Sequence, residues 1–350
     1  MNSQSEGFSI SGTVVARGTR KTLELPVSSL YSHAPMTLPV QVVCGKHDGP
    51  RLFVSAALHG DEINGVEIIR RLLRLPQLIK LRGTLIAIPI VNVYGFVNRS
   101  RYLPDRRDLN RSFPGSVRGS MAARLADIFM KEIVAQCDYG IDLHTGAIHR
   151  ENLPQIRANL DDDVTARIAN AFHVPLLLNS DLRDGSLRQI ASEHGIPMLL
   201  YEAGEALRFD ERAIRAGVKG IVAVMRELKM LPTSSRKSKR PEPLIARSTS
   251  WVRAECSGIL RATAALGIRV RKGEIIGVIA DPFGEQEHDV IATCHGIIIG
   301  RTNLPLVNEG EALFNIARFE STREAADVVD AVKADELPLG PTLDEEPPLV

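Results

Sequence analysis

The amino-acid sequence predicts an α/β fold, in which helices flank a mixed, mostly parallel sheet, followed by a small all-β, barrel-like domain. Residues 1–231 alternate short runs of β-branched and apolar residues with stretches in which apolar residues recur at helical spacing. Between Trp251 and Ala317, short β-type runs are separated by glycine-containing turns, and no stretch has helical spacing. With 350 residues the chain is also longer than one hydrophobic core usually needs, so two domains are expected.

The elements of the first domain follow from these patterns. Three apolar runs, at residues 52–58, 139–143 and 196–201, are typical of strands buried in a parallel sheet. The apolar spacing predicts five helices, at residues 62–75, 119–137, 161–173, 186–194 and 210–230. Residues 92–120 form a long polar segment rich in arginine. A loop of this length is usually functional or disordered.

The boundary between the domains is expected at residues 232–248, a linker rich in proline, serine and charge. No aromatic residue lies within its short basic run, which favours a solvated connector over a nucleic-acid patch. The first domain then covers residues 1–231 and the β domain residues 249–320. Residues 321–350 are acidic and contain proline, and a disordered tail is expected there.

The composition narrows the class of partner. Basic and acidic residues nearly balance, at 43 and 42, so the formal net charge of +1 favours neither nucleic acid nor a membrane surface. No apolar run is long enough to span a bilayer, and the N-terminus lacks the basic and apolar regions of a signal peptide. Cys44, Cys137, Cys256 and Cys294 form no Cys-x-x-Cys pair, so buried free thiols are expected. The sequence therefore predicts a cytoplasmic, soluble protein with a small-molecule partner.

Candidate metal ligands follow the predicted strands. His59 and Glu62 come after the first apolar run and His144 after the second. Because the carboxyl ends of parallel strands meet at one edge of a sheet, these side chains are expected to lie together. Two histidines and a carboxylate leave the fourth position of a tetrahedral zinc ion for water, as in catalytic sites. The spacing of His59 and Glu62 alone is weak evidence, since Glu62 could cap a helix and the histidines could lie in a core.

Three carboxylates near these ligands are candidates for further roles. Asp142 lies two residues before His144, on the same side of a strand. It either accepts a hydrogen bond from the far ring nitrogen of His144 or caps a neighbouring loop. Glu202 follows the third apolar run, and we expect it to act as the general base. Glu205 is the alternative base, although its position after Gly204 favours a helix start.

The arginine-rich loop contains candidates for substrate binding. In residues 108–115, Asp-Leu-Asn-Arg-Ser-Phe-Pro-Gly, Asn110 stands beside Arg111. An amide next to a planar guanidinium suits recognition of a carboxylate. Arg101 is predicted to stabilise the oxyanion that forms when water attacks a carbonyl. Each arginine alone would be interpreted as a surface charge, whereas the set of zinc ligands favours these roles.

Taken in order, the motifs His-Gly-x-Glu, Asp-Leu-Asn-Arg-x-Phe-Pro-Gly, Asp-Leu-His-Thr and Glu-x-Gly resemble those of the succinylglutamate desuccinylase and aspartoacylase family. This family is a branch of the zinc carboxypeptidase superfamily, and the resemblance covers residues 38–231. It implies a zinc carboxypeptidase-like fold and hydrolysis of the N-acyl amide of an amino acid. The resemblance is closest to a bacterial group with an extra β domain, which includes acetyl-diaminobutyrate deacetylases. The residue roles that it implies are one zinc ion per chain held by His59, Glu62 and His144, general base and acid by Glu202, polarisation of the carbonyl by Arg101, and carboxylate binding by Asn110 with Arg111.

The β domain resembles a biotinyl or lipoyl carrier barrel. A carrier needs an acceptor lysine on its exposed hairpin, and residues 281–289 contain none. We therefore expect either a structural module or one that joins copies of the chain into a homo-oligomer, and a module of either kind could also form one wall of the pocket.

Three functions remain as hypotheses at this point. The first is a zinc-dependent deacylase acting on a small N-acyl amino acid. The second is a zinc carboxypeptidase acting on a peptide or an amide-linked glutamate, which would use the same ligands and arginines. The third is a non-catalytic binding module with a vestigial zinc site, and the complete set of candidate catalytic residues disfavours it.

Overall fold

A large mixed sheet forms the centre of the fold. The computed structural model describes residues 7–180, 182–233 and 242–319. The helices in this part of the chain are α1 (Asn64–Leu73), α2 (Val93–Asn98), α3 (Met121–Glu132), α4 (Asp163–Phe172), α5 (Leu187–Glu193) and α6 (Glu211–Glu227). The strands up to α6 are β1 (Phe8–Ile10), β2 (Thr13–Val15), β3 (Arg20–Ser29), β4 (Pro35–Cys44), β5 (His47–Ala56), β6 (Arg82–Ile88), β7 (Tyr139–Gly146), β8 (Arg150–Ala158), β9 (Leu176–Asn179) and β10 (Met198–Glu205). Those after α6 are β11 (Leu244–Ala246), β12 (Ser248–Arg253), β13 (Gly258–Ala262), β14 (Arg269–Val270), β15 (Ile275–Ala280), β16 (Glu287–Ile291), β17 (Gly296–Thr302), β18 (Leu306–Val307) and β19 (Ala312–Arg318).

The four central strands of the large sheet, in the order β6, β5, β7 and β10, are parallel. On one side β4 and β3 continue the sheet antiparallel. On the other side β8 is antiparallel to β10, and β9 and β11 follow β8 in parallel. The predicted mixed, mostly parallel sheet is therefore confirmed. Its parallel centre brings the carboxyl ends of β5, β7 and β10 to one edge.

Helices cover both faces of the central strands. On one face, residues of α1, α4 and α6 such as Ile69, Phe172 and Ile221 form one apolar core. On the other face, Phe53 of β5 packs in a second core with Phe129 of α3. Because the second half of β5, from Leu52 to Ala56, is buried on both faces, it is apolar apart from Ser55 and does not alternate with polar residues. The two faces of the central strands are thus covered by apolar side chains.

The region after α6 is an all-β structure joined to the first domain by the sheet itself. β17 pairs antiparallel with the first residues of β8, and β19 and β12 follow β17. A smaller sheet in the order β16, β15, β13, β18 lies against it, and side chains from both sheets form a separate apolar core between them. Apolar side chains from both sides also pack together at the junction. They are Leu153, Leu176, Leu178 and Ala246 with Ile297, Ile299 and Ala317.

The predicted helices are all present, with ends within a few residues of the expected ones, except that residues 134–136 of the second predicted helix, 119–137, form a separate 3₁₀ turn. The polar segment 92–120 contains a further short helix, α2, because the side chain of Asn92 accepts a hydrogen bond from Gly95 N and caps it. Within the predicted linker 232–248, Leu244–Ala246 form a strand that pairs with β9. Residues 234–241 and the predicted tail at 321–350 lie outside the described residues.

The remaining composition-based expectations concern thiols and membranes. The cysteines are free thiols, with Cys44 and Cys137 buried and Cys256 and Cys294 half-buried. Among the described helices, none has the length and apolar character needed to cross a bilayer.

Candidate metal centre

The backbone after β5 directs His59 and Glu62 to the edge of the sheet. β5 ends at Ala56, and Ala57 has a left-handed φ of +50°, which turns the chain sharply. Gly60 then lies directly against the backbone of Gly95, where a Cβ atom would be 2.0 Å from the Gly95 carbonyl carbon. Only glycine fits this close approach of two chain segments. The turn closes with a hydrogen bond from Glu62 N to the His59 carbonyl, just before α1.

His59, Glu62 and His144 lie together and are buried. One candidate ligand atom from each lies within 4.8 Å of the other two. The Nδ1 atoms of His59 and His144 are each 2.7 Å from a different oxygen of Glu62. The backbone N–H of Thr145 donates to the same carboxylate at 3.2 Å. Two ring nitrogens and a carboxylate thus converge, as in sites that hold zinc.

A carboxylate binds the far ring nitrogen of each histidine. Asp142 Oδ2 is 2.6 Å from His144 Nε2, and Asp108 Oδ1 is 3.1 Å from His59 Nε2. Ser55 Oγ on β5 donates to the other oxygen of Asp142 at 2.7 Å. Such contacts fix the tautomer and the ring orientation of ligating histidines and make them more basic. Of the two open interpretations of Asp142, the geometry shows the contact with His144.

The charges of the cluster are strongly coupled. Burial by itself would lower the pKa of His59, but the Glu62 charge and the contact with Asp108 outweigh burial and raise it. The pKa of His144 is well above its usual value, because Asp142 and Glu62 outweigh burial in the same way. Burial would raise the pKa of Glu62, and the two imidazoles hold it far below its usual range instead. The carboxylates therefore favour positive charge at this point, which a divalent cation would supply.

Arg101 contacts two carboxylates of the cluster. Its guanidinium is 3.3 Å from Glu62 Oε1 and 3.0 Å from Asp108 Oδ2. Burial would lower the pKa of Arg101, and these two charges raise it. The side chain is only partly buried, so the guanidinium reaches the edge of the site with its orientation fixed.

Glu202 lies beside His144 on the neighbouring strand. The two residues are paired in the parallel ladder of β10 and β7, so their side chains are on the same face of the sheet. The Glu202 carboxylate forms an ion pair with Arg157 of β8. No contact joins it to the three candidate ligands among the described residues. Its predicted role as a base therefore rests on its position.

Glu205, the alternative base, has another function in the structure. It is the last residue of β10 and does not begin a helix, which corrects the expectation from Gly204. Its carboxylate accepts hydrogen bonds from His149 N at 3.0 Å and from Asn303 Nδ2 at 2.9 Å. Glu205 thus connects the loop after β7 to the β domain.

Asn110 and Arg111 point to different surroundings, although they are adjacent. Asn110 is buried, and its side-chain oxygen accepts a hydrogen bond from Leu187 N at the start of α5. Arg111 is exposed, and its guanidinium donates to the carbonyl of Asn110. Their joint binding of a substrate carboxylate remains a prediction.

Sequence reasoning assigned no role to three residues of the site. Asp108 belongs to the Asp-Leu-Asn-Arg motif, and its place at the start of that motif could have indicated a partner for a ligand. Ser55 and Arg157 gave no local signal, because only the pairing of β5 with β7 and of β8 with β10 brings them to the site.

The fold and the cluster define an α/β protein with a two-histidine, one-carboxylate centre at the carboxyl ends of parallel strands. Residues 48–228 match the family model described as the succinylglutamate desuccinylase/aspartoacylase catalytic domain. The match covers more than half of the chain, and the chain therefore belongs to this family of deacylases.

Individual relatives agree with this assignment. The chain is 28% identical over 313 residues to the N-alpha-acetyl-L-2,4-diaminobutyric acid deacetylase of Halomonas elongata, which covers 84% of this chain and 90% of that protein. The fold of the present chain is similar to that of the product-bound ectoine utilization protein EutE (DoeB) of Ruegeria pomeroyi. The TM-score is 0.77 and the sequence identity 23%, and the comparison covers 86% of this chain and 95% of that one. The structure of a succinylglutamate desuccinylase/aspartoacylase of Rhodobacter sphaeroides is also similar, with a TM-score of 0.76 and a sequence identity of 24%. The comparison covers 85% of this chain and 95% of that one. At these identities the structural likeness shows the fold alone.

Proposed function

We propose that this protein is a zinc-dependent hydrolase that cleaves the amide bond of a small N-acyl amino acid. The observation that carries the proposal is the convergence of His59 Nδ1, His144 Nδ1 and the Glu62 carboxylate, with a carboxylate behind each histidine. The family and the diaminobutyrate deacetylase of Halomonas elongata support the substrate class.

The residues present fit one zinc ion. His59, Glu62 and His144 would hold it, since imidazole nitrogens and a carboxylate are common zinc ligands and three of them leave one position open. Zinc, when bound, would polarise the substrate carbonyl and lower the pKa of water toward about 7. Asp108 and Asp142 would keep each imidazole in the orientation that binding requires.

The other residues would bind and activate the substrate. Glu202, on the same face as His144, would take a proton from the attacking water and return it to the leaving amine. Arg101, already oriented by Glu62 and Asp108, would donate to the oxygen on which negative charge develops. Arg111, exposed beside Asn110, would bind the substrate carboxylate. We further propose that the protein is cytoplasmic and forms a homo-oligomer.

Metal analysis and a substrate panel test this function together. We expect about one zinc per chain in unsupplemented wild-type protein and little in the His59→Ala, His144→Ala double variant, because two of three ligands are lost. Equal zinc in both proteins would contradict the site. The zinc-loaded wild type should hydrolyse N-acetyl or N-succinyl amino acids faster than dipeptides. Faster cleavage of dipeptides would favour the carboxypeptidase alternative.

A further inference from the structure

The floor of the site beside His144 is formed by two neighbouring strands. On β10 the side chains of Leu199, Tyr201 and Ala203 are buried, whereas Leu200 and Glu202, on the opposite face, are only partly buried. In the antiparallel ladder with β8, Gln155 is paired with Glu202, and Arg157 is paired with Leu200. Paired residues have side chains on the same face. Glu202 therefore has Gln155 directly beside it on β8, and Arg157 lies two residues further along β8 on the same face.

Arg157 reaches along the sheet to Glu202. Its Nε atom is 2.5 Å from Glu202 Oε2, with side-chain exposures of 24% for Arg157 and 18% for Glu202. The contact is an ion pair without the geometry of a hydrogen bond, since neither Arg157 Nε nor Glu202 Oε2 forms a hydrogen bond within the described residues. The attraction is between charges in a site largely screened from solvent, where such pairs are stronger than at a surface.

Gln155 is the second unusual group at this place. Its side chain is 0% exposed, and neither its Oε1 nor its Nε2 atom has a hydrogen-bond partner in the described part of the chain. Buried polar side chains are nearly always hydrogen-bonded, and those that are not often have a functional reason. Four such atoms, from Gln155, Arg157 and Glu202, occupy neighbouring positions on one face. A purely structural ion pair would not need an unpaired amide next to it.

We propose that Arg157 is a positioning residue for Glu202, which it holds by Oε2 so that Oε1 is available for the proton, with Gln155 as the adjacent neutral donor. The inference rests on the proposed function. A general base must present one oxygen to the water at hydrogen-bond distance, and a displacement of about 1 Å can cost about a factor of 100 in rate. Without such a contact, the glutamate side chain could rotate among several conformers. The guanidinium restrains the carboxylate by one oxygen, because it is always charged and planar.

A double-variant cycle tests this role. We would compare kcat and KM for the best N-acyl amino acid in the wild type, Arg157→Gln, Glu202→Gln and the combined variant. Arg157→Gln should lower kcat about 10- to 100-fold with KM changed less than about threefold, since the base is misplaced and the substrate contacts remain. Glu202→Gln should lower kcat about 100-fold or more. The combined variant should be no worse than Glu202→Gln within about threefold, because a residue that acts through Glu202 has no effect once the base is gone.

Further measurements separate positioning from folding. Zinc content and Tm of Arg157→Gln should match those of the wild type, and Arg157→Lys should restore part of kcat. Arg167→Gln, which removes a 2.6 Å ion pair with Glu227 on the outer helices, is the matched control and should keep the wild-type kcat. Crystal structures of the wild type and Arg157→Gln give a readout that does not depend on activity. The wild type should show one Glu202 conformer held by Arg157, and the variant should show several.

The proposal is wrong if Arg157→Gln keeps the wild-type kcat, or if its loss multiplies with that of Glu202→Gln in the combined variant. The same conclusion would follow from an unchanged Glu202 conformer in the Arg157→Gln crystal. If Arg157→Gln does not fold, Arg157→Lys with the crystal structure decides between the outcomes. Failure of the proposed function is distinct, because the wild type itself would then hydrolyse no N-acyl amino acid of the panel.

Discussion

Replacing Asp142 by asparagine isolates the electrostatic support that the proposed metal centre would receive from the carboxylate behind His144. The shape is preserved, and the amide oxygen can still accept from His144 Nε2 while Ser55 Oγ reverses its role toward the amide nitrogen. Only the negative charge is lost. Loss of such a carboxylate typically weakens metal binding or activity 10- to 100-fold, which corresponds to about 1.4 to 2.7 kcal/mol. Asp142 is 1% exposed and lies 2.6 Å from the ring, so we expect the upper half of this range.

The structure also predicts how a second variant compares with Asp142→Asn in zinc affinity. Asp108 lies 3.1 Å from His59 Nε2 with 17% of its side chain exposed, so Asp108→Asn should weaken zinc binding less than Asp142→Asn. Zinc Kd values from competition with a fluorescent chelator would measure both. Asp48→Asn, at an exposed residue far from the sequence motifs, serves as the control and should leave Kd unchanged. Wild-type affinity in Asp142→Asn, or a larger effect of Asp108→Asn, would refute the reasoning.

Three further predictions concern the substrate, the turn and the sheet. Arg111→Ala should lower kcat/KM for a carboxylate-bearing N-acyl amino acid more than for the matching amide, by a factor of about 10 or more, and equal losses on both substrates would remove its assigned role. Gly60→Ala places a Cβ 2.0 Å from the Gly95 carbonyl carbon, so we expect a loss of about 1 to 3 kcal/mol in the free energy of unfolding and weaker zinc binding, and calorimetry showing the wild-type Tm would contradict this. Burial would raise the pKa of Asp138, but hydrogen bonds from the Arg51 side chain and backbone hold it below its usual range. Asp138→Asn should therefore lower Tm at pH 7, and the difference from the wild type should shrink as the pH falls below about 4, through the pKa of the folded state. A Tm difference that persists at low pH would show that the charge is not its cause.

The convergence of the candidate metal ligands could be predicted from the sequence because each comes after an apolar run. Such a run is a local signal, and the parallel order of the strands then brings His59 and His144 together without further information. The expectation that Glu205 begins a helix is wrong, because β10 has an irregularity after Glu202 and then continues to Glu205. Arg157 could not be predicted, since its contact depends on the antiparallel register of β8, which no local pattern specifies.

Adjacency in sequence was also insufficient for Asn110 and Arg111. A motif gives the order of side chains but not their direction, and the turn at residues 109–111 sends one inward and the other outward. The buried amide supports α5, which in turn lies against β10. Part of this motif is therefore needed to build the site, whatever its role in binding substrate.

The β domain is connected to the strands of the candidate site. Its hairpin lacks an acceptor lysine, yet the domain is attached exactly where the first domain's sheet would otherwise have an open edge, along the first residues of β8. An open edge with apolar neighbours would favour aggregation, and β17 covers it. Asn303, just after β17, donates from its backbone to the carbonyl of His149 at 2.7 Å and from its side chain to Glu205. His149 lies just after β7, which bears His144, and Glu205 is the last residue of β10, which bears Glu202. The β domain therefore contacts the ends of the two strands on which the proposed chemistry depends, and these contacts are consistent with the expected structural module.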